Sequence, residues 1–228
     1  MLLGEDLLLL LTDDHDGTSA VSGEQLGIGL GGAHLLELVL LGRVDVAAAG
    51  EPIREGRLVV RDGASTSDPL LDRALATVAE RVGKRPTSTV TALGKGQREA
   101  LYERLVARGV LRAERAKILG IFPRNTWPAE DATHENAVRE RIVSALRSGS
   151  TTDPRTGALV SLLHSLRAID KVFDPDAVGM PRKAMTRAAE QISAGDWASK
   201  AVRQAIDSAN AALIAVVAST TAAAAGSS

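Results

Sequence analysis

Residues 29–43 read Gly-Leu-Gly-Gly-Ala-His-Leu-Leu-Glu-Leu-Val-Leu-Leu-Gly-Arg. His34 to Leu41 is a strongly apolar helix, and Gly42 ends it as the residue just past the C-cap. The flank before it, Gly23 to Gly32, is glycine-rich and reads as a flexible turn and helix start that lets backbones pack closely. Gly27-x-Gly29-x-x-Gly32 spells a dinucleotide fingerprint, but the polar stretch Ser19 to Gln25 stands where that motif needs a buried strand. The packing reading is therefore preferred, and the chain is built outward from an apolar helix.

Toward the N-terminus, Leu2 to Leu11 reads as a short buried helix. It looks like a signal peptide, yet it has no basic flank, carries Glu5 and Asp6, and runs into Asp13-Asp14-His15-Asp16 instead of a small-residue cleavage site. Asp13 to Gly17 reads as a solvated turn, because it lacks the Gly and Glu positions of a calcium loop. In the other direction, Val44 to Ala48 and Arg57 to Arg61 form a hairpin around Gly50-Glu51-Pro52. Asp68-Pro69 starts a helix, with Asp as N-cap and Pro in the first turn. Thr89 to Leu93 is a short apolar helix or strand, broken by Gly94-Lys95-Gly96. Gln97 to Arg108 is an amphipathic helix ended by Gly109. The apolar run Lys117 to Pro123 is closed by Trp127-Pro128.

The last hundred residues are helical: Glu135 to Arg147, a second Asp-Pro start at Asp153-Pro154, Pro181 to Ile192, and a final helix capped by Asp196 and running to Val217. The expected fold is mainly α. It is a single helical domain over 1–228 with one or two short β-hairpins, one of them apolar-tipped near 110–127, and a frayed tail from about 221 to 228. Ala211 to Ala225 is uncharged but too short to span a bilayer, so membrane contact is expected to be peripheral.

With 45% hydrophobic and 24% charged residues, 228 residues suffice for a core without staples. Cysteine is absent, which excludes disulfides, thiolate metal sites and a cysteine nucleophile. The net charge of −1 conceals a division: residues 1–80 sum to −9, 81–124 to +8 and 125–228 to 0. The basic block calls for an anionic partner, which is nucleic acid, a membrane surface or the acidic first third of the chain itself.

No catalytic constellation is visible. There is no Gly-x-Ser-x-Gly elbow, Gly94-Lys95 is followed by Gly96 where a P-loop needs Ser or Thr, and His134-Glu135 lacks the second His of a zinc helix. His34 and His164 read as satisfied packing residues. The expectation is a protein that is not an enzyme and needs no metal or cofactor. The residues that carry chemistry lie in the basic block. Gly94-Lys95-Gly96 precedes a helix, so backbone N–H groups and the helix N-terminus favour an anion, and Lys95 and Arg98 stand three apart to lean over that first turn. A solvated loop is the alternative. Ile118, Leu119, Ile121 and Phe122 form an apolar tip flanked by cations, which suits insertion at a membrane interface, self-association, or burial in the core.

Three segments carry a resemblance. Residues 29–43 resemble the signature helix of the Golgi phosphoprotein 3 family, Asp68-Pro69-Leu70-Leu71-Asp72-Arg73-Ala74-Leu75 its next helix, and Glu103-Arg104-Leu105-Val106-Ala107-Arg108-Gly109-Val110-Leu111 the segment before its hydrophobic hairpin. The resemblance implies a helical domain that binds phosphatidylinositol 4-phosphate at the cytosolic face of a membrane, through an aromatic residue and three arginines. Carried over by position, two arginines fall on Lys95 and Arg98 and the hairpin on Lys117 to Trp127. The aromatic position falls near Ser22 and the third arginine on Gly31. The basic N-terminal extension through which Golgi members hold other proteins has no counterpart here, and the composition fits a bacterial member. The implied function is peripheral binding of a phosphoinositide-like or other anionic phospholipid headgroup, with a cytoplasmic location. Two other readings stand beside it: a winged-helix-like nucleic-acid binder, and a scaffold or homo-oligomer using the same hairpin.

Overall fold

The computed structural model describes residues 1–118 and 122–195, with backbone alone for 115–118 and 122–124, and the isolated positions 207, 211 and 214. The elements in order are α1 (Leu3–Leu10), α2 (Gly23–Leu40), β1 (Val44–Val46), β2 (Leu58–Val60), α3 (Pro69–Ala79), α4 (Pro86–Gly94), α5 (Gln97–Ala107), β3 (Glu114–Ile118), β4 (Phe122–Thr126), α6 (Thr133–Ser148), α7 (Pro154–Ser165), α8 (Ile169–Val172), α9 (Pro175–Val178) and α10 (Arg182–Ala194). The molecule is mainly helical, with two antiparallel hairpins, β1–β2 and β3–β4. Leu119, Ile121, the helix expected from Asp196 and the tail from 221 lie outside the described residues, apart from helical backbone at positions 207, 211 and 214.

α2 is the axis of the fold. It packs on α1, α3, α4, α5, α7 and β1, and from Leu26 to Val39 only Gly27 is not buried. The sequence places its start near His34. The structure starts it at Gly23, so the whole glycine-rich stretch is helical. Two causes act together. Ser22 caps the helix: its hydroxyl accepts from the Gln25 amide at 3.2 Å, and Gln25 returns a bond to the Ser22 amide at 3.1 Å. The glycines then let α4 approach backbone to backbone. A Cβ on Gly31 would stand 2.0 Å from the Val90 carbonyl oxygen, and one on Gly94 would stand 1.9 Å from that of Gly27. Each glycine costs up to about 1 kcal/mol of helix propensity relative to Ala, and the close crossing offsets it by burying Val90 and Leu93 against α2.

α1 lies wholly inside, although it carries Glu5 and Asp6. Its charges are matched from distant elements. Glu5 takes Arg104 at 3.0 Å and Arg108 at 2.9 Å, while Asp6 takes His134 at 2.7 Å. Arg155 bridges to Glu37 at 2.6 Å. Both Asp-Pro starts form as the sequence predicts. Asp68 accepts from the Leu70 amide at 2.9 Å and Asp153 from the Thr156 amide at 3.1 Å. Thr89 to Leu93, helix or strand in the sequence, is helix, started by Pro86 in its first turn.

The second hairpin follows α5 with its register at Glu114↔Thr126, Arg115↔Asn125, Ala116↔Arg124, Lys117↔Pro123 and Ile118↔Phe122. Its base is tied by the Leu111↔Ala129 bridge and by the Arg112 amide, which donates to the Pro128 carbonyl at 3.0 Å. This is the hairpin expected near 110–127.

Candidate functional site

The sequence assembles its candidate site at the break between α4 and α5. Gly96 is the N-cap of α5, Lys95 is exposed and Arg98 is half-buried. Arg98 does not simply lie over its own helix turn. One guanidinium nitrogen reaches to 3.7 Å from where a Cβ on Gly23 would stand, so the cation faces the first turn of α2. The starts of α2 and α5 therefore converge on one guanidinium.

Two aromatic rings complete the surroundings. Tyr102, one turn along α5, stacks on Trp127 from the hairpin base with centroids 3.9 Å apart and planes 5° from parallel. The Arg98 carbon lies 5.8 Å from one centroid and 5.6 Å from the other. Near-equal distances to two parallel rings put the guanidinium at the edge of the stack and not over a face, so the aromatic pair acts as a wall. Beyond the wall is a cleft of about 340 Å³ lined by Glu99, Glu103, Glu114 and Asn125 with the two rings. Its carboxylates repel an anion, which leaves the Arg98 side for one.

Arg98 also stands apart electrostatically. Of the basic block, Arg104 pairs with Glu5 and Asp68, Arg108 with Glu5, and Arg112 with Glu114 and Glu130. Part of the +8 charge is thus matched, much of it by the acidic first third. Among the described residues, Lys95 and Arg98 have no carboxylate partner, nor have Arg81, Lys84 and Arg85 of the same block; what distinguishes Arg98 is that its Nε, like Gln97 Oε1, is buried without a hydrogen bond. A buried guanidinium N–H without an acceptor is costly; because Nε is closed to solvent, an incoming oxyanion would meet this guanidinium at its terminal nitrogens, one of which faces the first turn of α2.

The two altered positions of the resemblance have structural roles. Ser22 is the cap of α2 and stands next to Gly23, hence beside Arg98. Gly31 packs on the Val90 carbonyl, so the place of the third arginine admits no side chain. Tyr102 and Trp127 were not legible as site residues, because 25 positions separate them and their contact depends on the hairpin's return. The one available signal was Trp127-Pro128 closing a basic apolar run. Ile118 and Phe122 face each other across the last described pair of the hairpin.

The remaining candidates are structural. The Asp13–Gly17 turn is held by Asp13, whose carboxylate accepts from the His15 and Asp16 amides. It lines a polar cavity of about 430 Å³ together with Arg139 and Lys171. Among the described residues, no group of three or more His, Asp or Glu is placed to hold a metal ion. His34 is a packing residue, but not a fully satisfied one. Nδ1 meets the Leu30 carbonyl at 3.0 Å, while Nε2 is buried without a partner, and burial pushes its pKa down. Burial likewise lowers His164. Glu135 pairs with Arg139 at 2.7 Å, yet burial keeps its carboxyl above the ordinary value and the Asp14 charge adds to the rise. Among the described residues, no helix is long and apolar enough to cross a membrane.

A family model described as Golgi phosphoprotein 3 (GPP34) matches residues 3–209. Among curated proteins, the vacuolar protein sorting-associated protein 74 of Eremothecium gossypii is 30% identical over 166 residues, which are 64% of this chain and 49% of that protein. The chain spans about half the length of that relative.

Proposed function

The chain belongs to the Golgi phosphoprotein 3 family, and on that premise we propose that it is a non-enzymatic, peripheral lipid-binding protein of the cytosolic face of a membrane. Its ligand is the phosphorylated headgroup of an anionic phospholipid, of the phosphatidylinositol 4-phosphate type. Arg98 takes the phosphate, helped by Lys95 and the backbone N–H groups that open α2 and α5. Ile118, Leu119, Ile121 and Phe122 are proposed as the residues that insert into the membrane. The observation that carries this reading is the half-buried Arg98, a cation with an unpartnered N–H set between two helix starts and an aromatic wall. Its neighbours Arg104 and Arg108 are neutralised within the fold, so little of α5 is left to track a nucleic-acid backbone.

Co-sedimentation with vesicles tests the reading. Neutral vesicles, generic anionic vesicles and vesicles of equal charge containing phosphatidylinositol 4-phosphate are compared at low and high salt. The expected order is phosphoinositide above generic anionic above neutral. Basic residues near an anionic surface contribute about 1 kcal/mol each, so Lys95→Ala with Arg98→Ala is expected to weaken binding by about 30-fold with an unchanged circular dichroism spectrum. Equal binding by the double variant would remove Arg98 from the site. Failure of the wild-type chain to bind any vesicle would sink the lipid reading itself.

A further inference from the structure

We propose that the turn between α1 and α2 positions the aromatic wall of the Arg98 site, with Thr12 and Gly17 as positioning residues for ligand recognition. The inference rests on the reading that Arg98 faces the ligand.

The turn touches both rings' supports. Thr12 Oγ donates to the Leu8 carbonyl at 2.7 Å and lies 2.9 Å from the Tyr102 hydroxyl. A threonine has one hydroxyl proton, and it is committed to Leu8, so Tyr102 donates to Thr12. Thr12 and Tyr102 are both buried, so this acceptor fixes the height and tilt of the Tyr102 ring, on which Trp127 lies.

Gly17 supports the other ring. Its φ is +63°, and a Cβ on it would meet the Trp127 amide nitrogen at 2.3 Å and Thr126 at 3.1 Å. The turn is thus pressed directly on the backbone that carries the indole. It is tied there at a second point, where the Ala129 amide donates to the Asp14 carbonyl at 3.2 Å. The turn is stiff in itself. The Thr12↔Ser19 bridge closes it, the Asp13 amide donates to the Thr18 carbonyl at 2.8 Å and the Gly17 amide to the Asp13 carbonyl at 2.8 Å. A stiff clamp seated on two rings at once sets their mutual position. Because Arg98 sits at the shared edge of those rings, displacing either one changes the pocket that the guanidinium faces.

The test uses Trp197→Phe as reference chain, in which Trp127 is the one tryptophan left. Thr12→Val keeps the shape and removes the acceptor; Thr12→Ser keeps the acceptor. Trp127 emission and acrylamide quenching report the stack, and vesicles containing phosphatidylinositol 4-phosphate report recognition. Thr12→Val is expected to change emission and quenching and to weaken vesicle binding about five- to ten-fold, the scale of one hydrogen bond, while Thr12→Ser restores both. Gly17→Ala is expected to give the same spectral change where it folds. If Thr12→Val leaves emission and binding as in the reference, or loses thermal stability with binding intact, Thr12 is merely structural and the proposal falls. A reference chain that binds no vesicle overturns the lipid reading instead, and that outcome appears before any substitution at Thr12.

Discussion

Substituting Gly31 by Ala should destabilise the fold although alanine is the better helix former. The new methyl carbon would stand 2.0 Å from the Val90 carbonyl oxygen and 2.7 Å from the Gly94 amide nitrogen. Both are main-chain atoms, so no rotamer change can clear them. Ordinary contact begins at 3.4 Å, so α2 and α4 must part by about 1.4 Å along that line. Overpacking of this kind costs about 1–3 kcal/mol, and parting the helices loosens Val90, Leu93 and Leu30 in a close-packed interior. Against this the helix gains up to about 1 kcal/mol. We expect a net loss of up to about 2 kcal/mol, or up to roughly 4–8 °C in melting temperature for a chain of this length. Gly27, one helical turn away, is the control. A Cβ there meets nothing within 4 Å, so Gly27→Ala should stabilise by up to about 1 kcal/mol. Urea unfolding followed by circular dichroism reads both. Equal effects of the two substitutions would refute the backbone-to-backbone crossing.

Two further outcomes follow from the charges. Asp68 caps α3 and forms a two-point pair with Arg104 at 2.5 and 2.9 Å. Burial works against its charge, but Arg104 and the Leu70 and Leu71 amides together hold the carboxyl below its ordinary value. Asp68→Ala should cost about 2–3 kcal/mol, of which the cap is about 1, and Asp68→Asn about half; urea midpoints that fail to separate the two would rule out a distinct ionic contribution. Glu135 behaves in the opposite sense, since burial raises it above its reference value of 4.5 despite Arg139. The folded state then holds the proton more tightly than the unfolded one. That contribution is complete below pH 4.5 and is lost as pH rises through the elevated value. Glu135→Gln cannot ionise, so its stability relative to wild type should improve as pH rises across this window. A stability difference that does not vary with pH would exclude Glu135 as the titrating group.

The parts of this fold that local chemistry dictates were readable. Asp68-Pro69 and Asp153-Pro154 each combine a cap with a residue suited to the first turn, and both start helices. Gly42 and Gly109 end α2 and α5 as expected. The start of α2 was missed although Ser22 and Gln25 spell a capping box, since a stretch so rich in glycine is a poor helix by propensity. The second reason for its being helical, the groove offered by Val90 and Gly94, lies some sixty residues away. The site divides in the same manner. Lys95 and Arg98 stand out because glycines and a helix start surround them. Tyr102, Trp127, Thr12 and Gly17 do not, because their meeting is made by the return of a hairpin and of a turn. Net charge also misleads when taken by segment. It indicates a basic block, but Arg104 and Arg108 spend their charge on Glu5, about a hundred residues earlier.

That pairing has a consequence for how the chain comes off the ribosome. α1 carries Glu5 and Asp6 into the interior, and the partners that make this tolerable are Arg104, Arg108, His134 and Arg155. At about 5–20 residues per second, α1 leaves the exit tunnel on the order of 5–30 s before the last of them. Until Arg104 and Arg108 emerge Glu5 has no counter-charge, and Asp6 waits longer still for Arg155. The segment synthesised early is thus among the last to reach its native surroundings, and a chain arrested before α7 exposes a short leucine-rich helix to whatever holdase or aggregate meets it first.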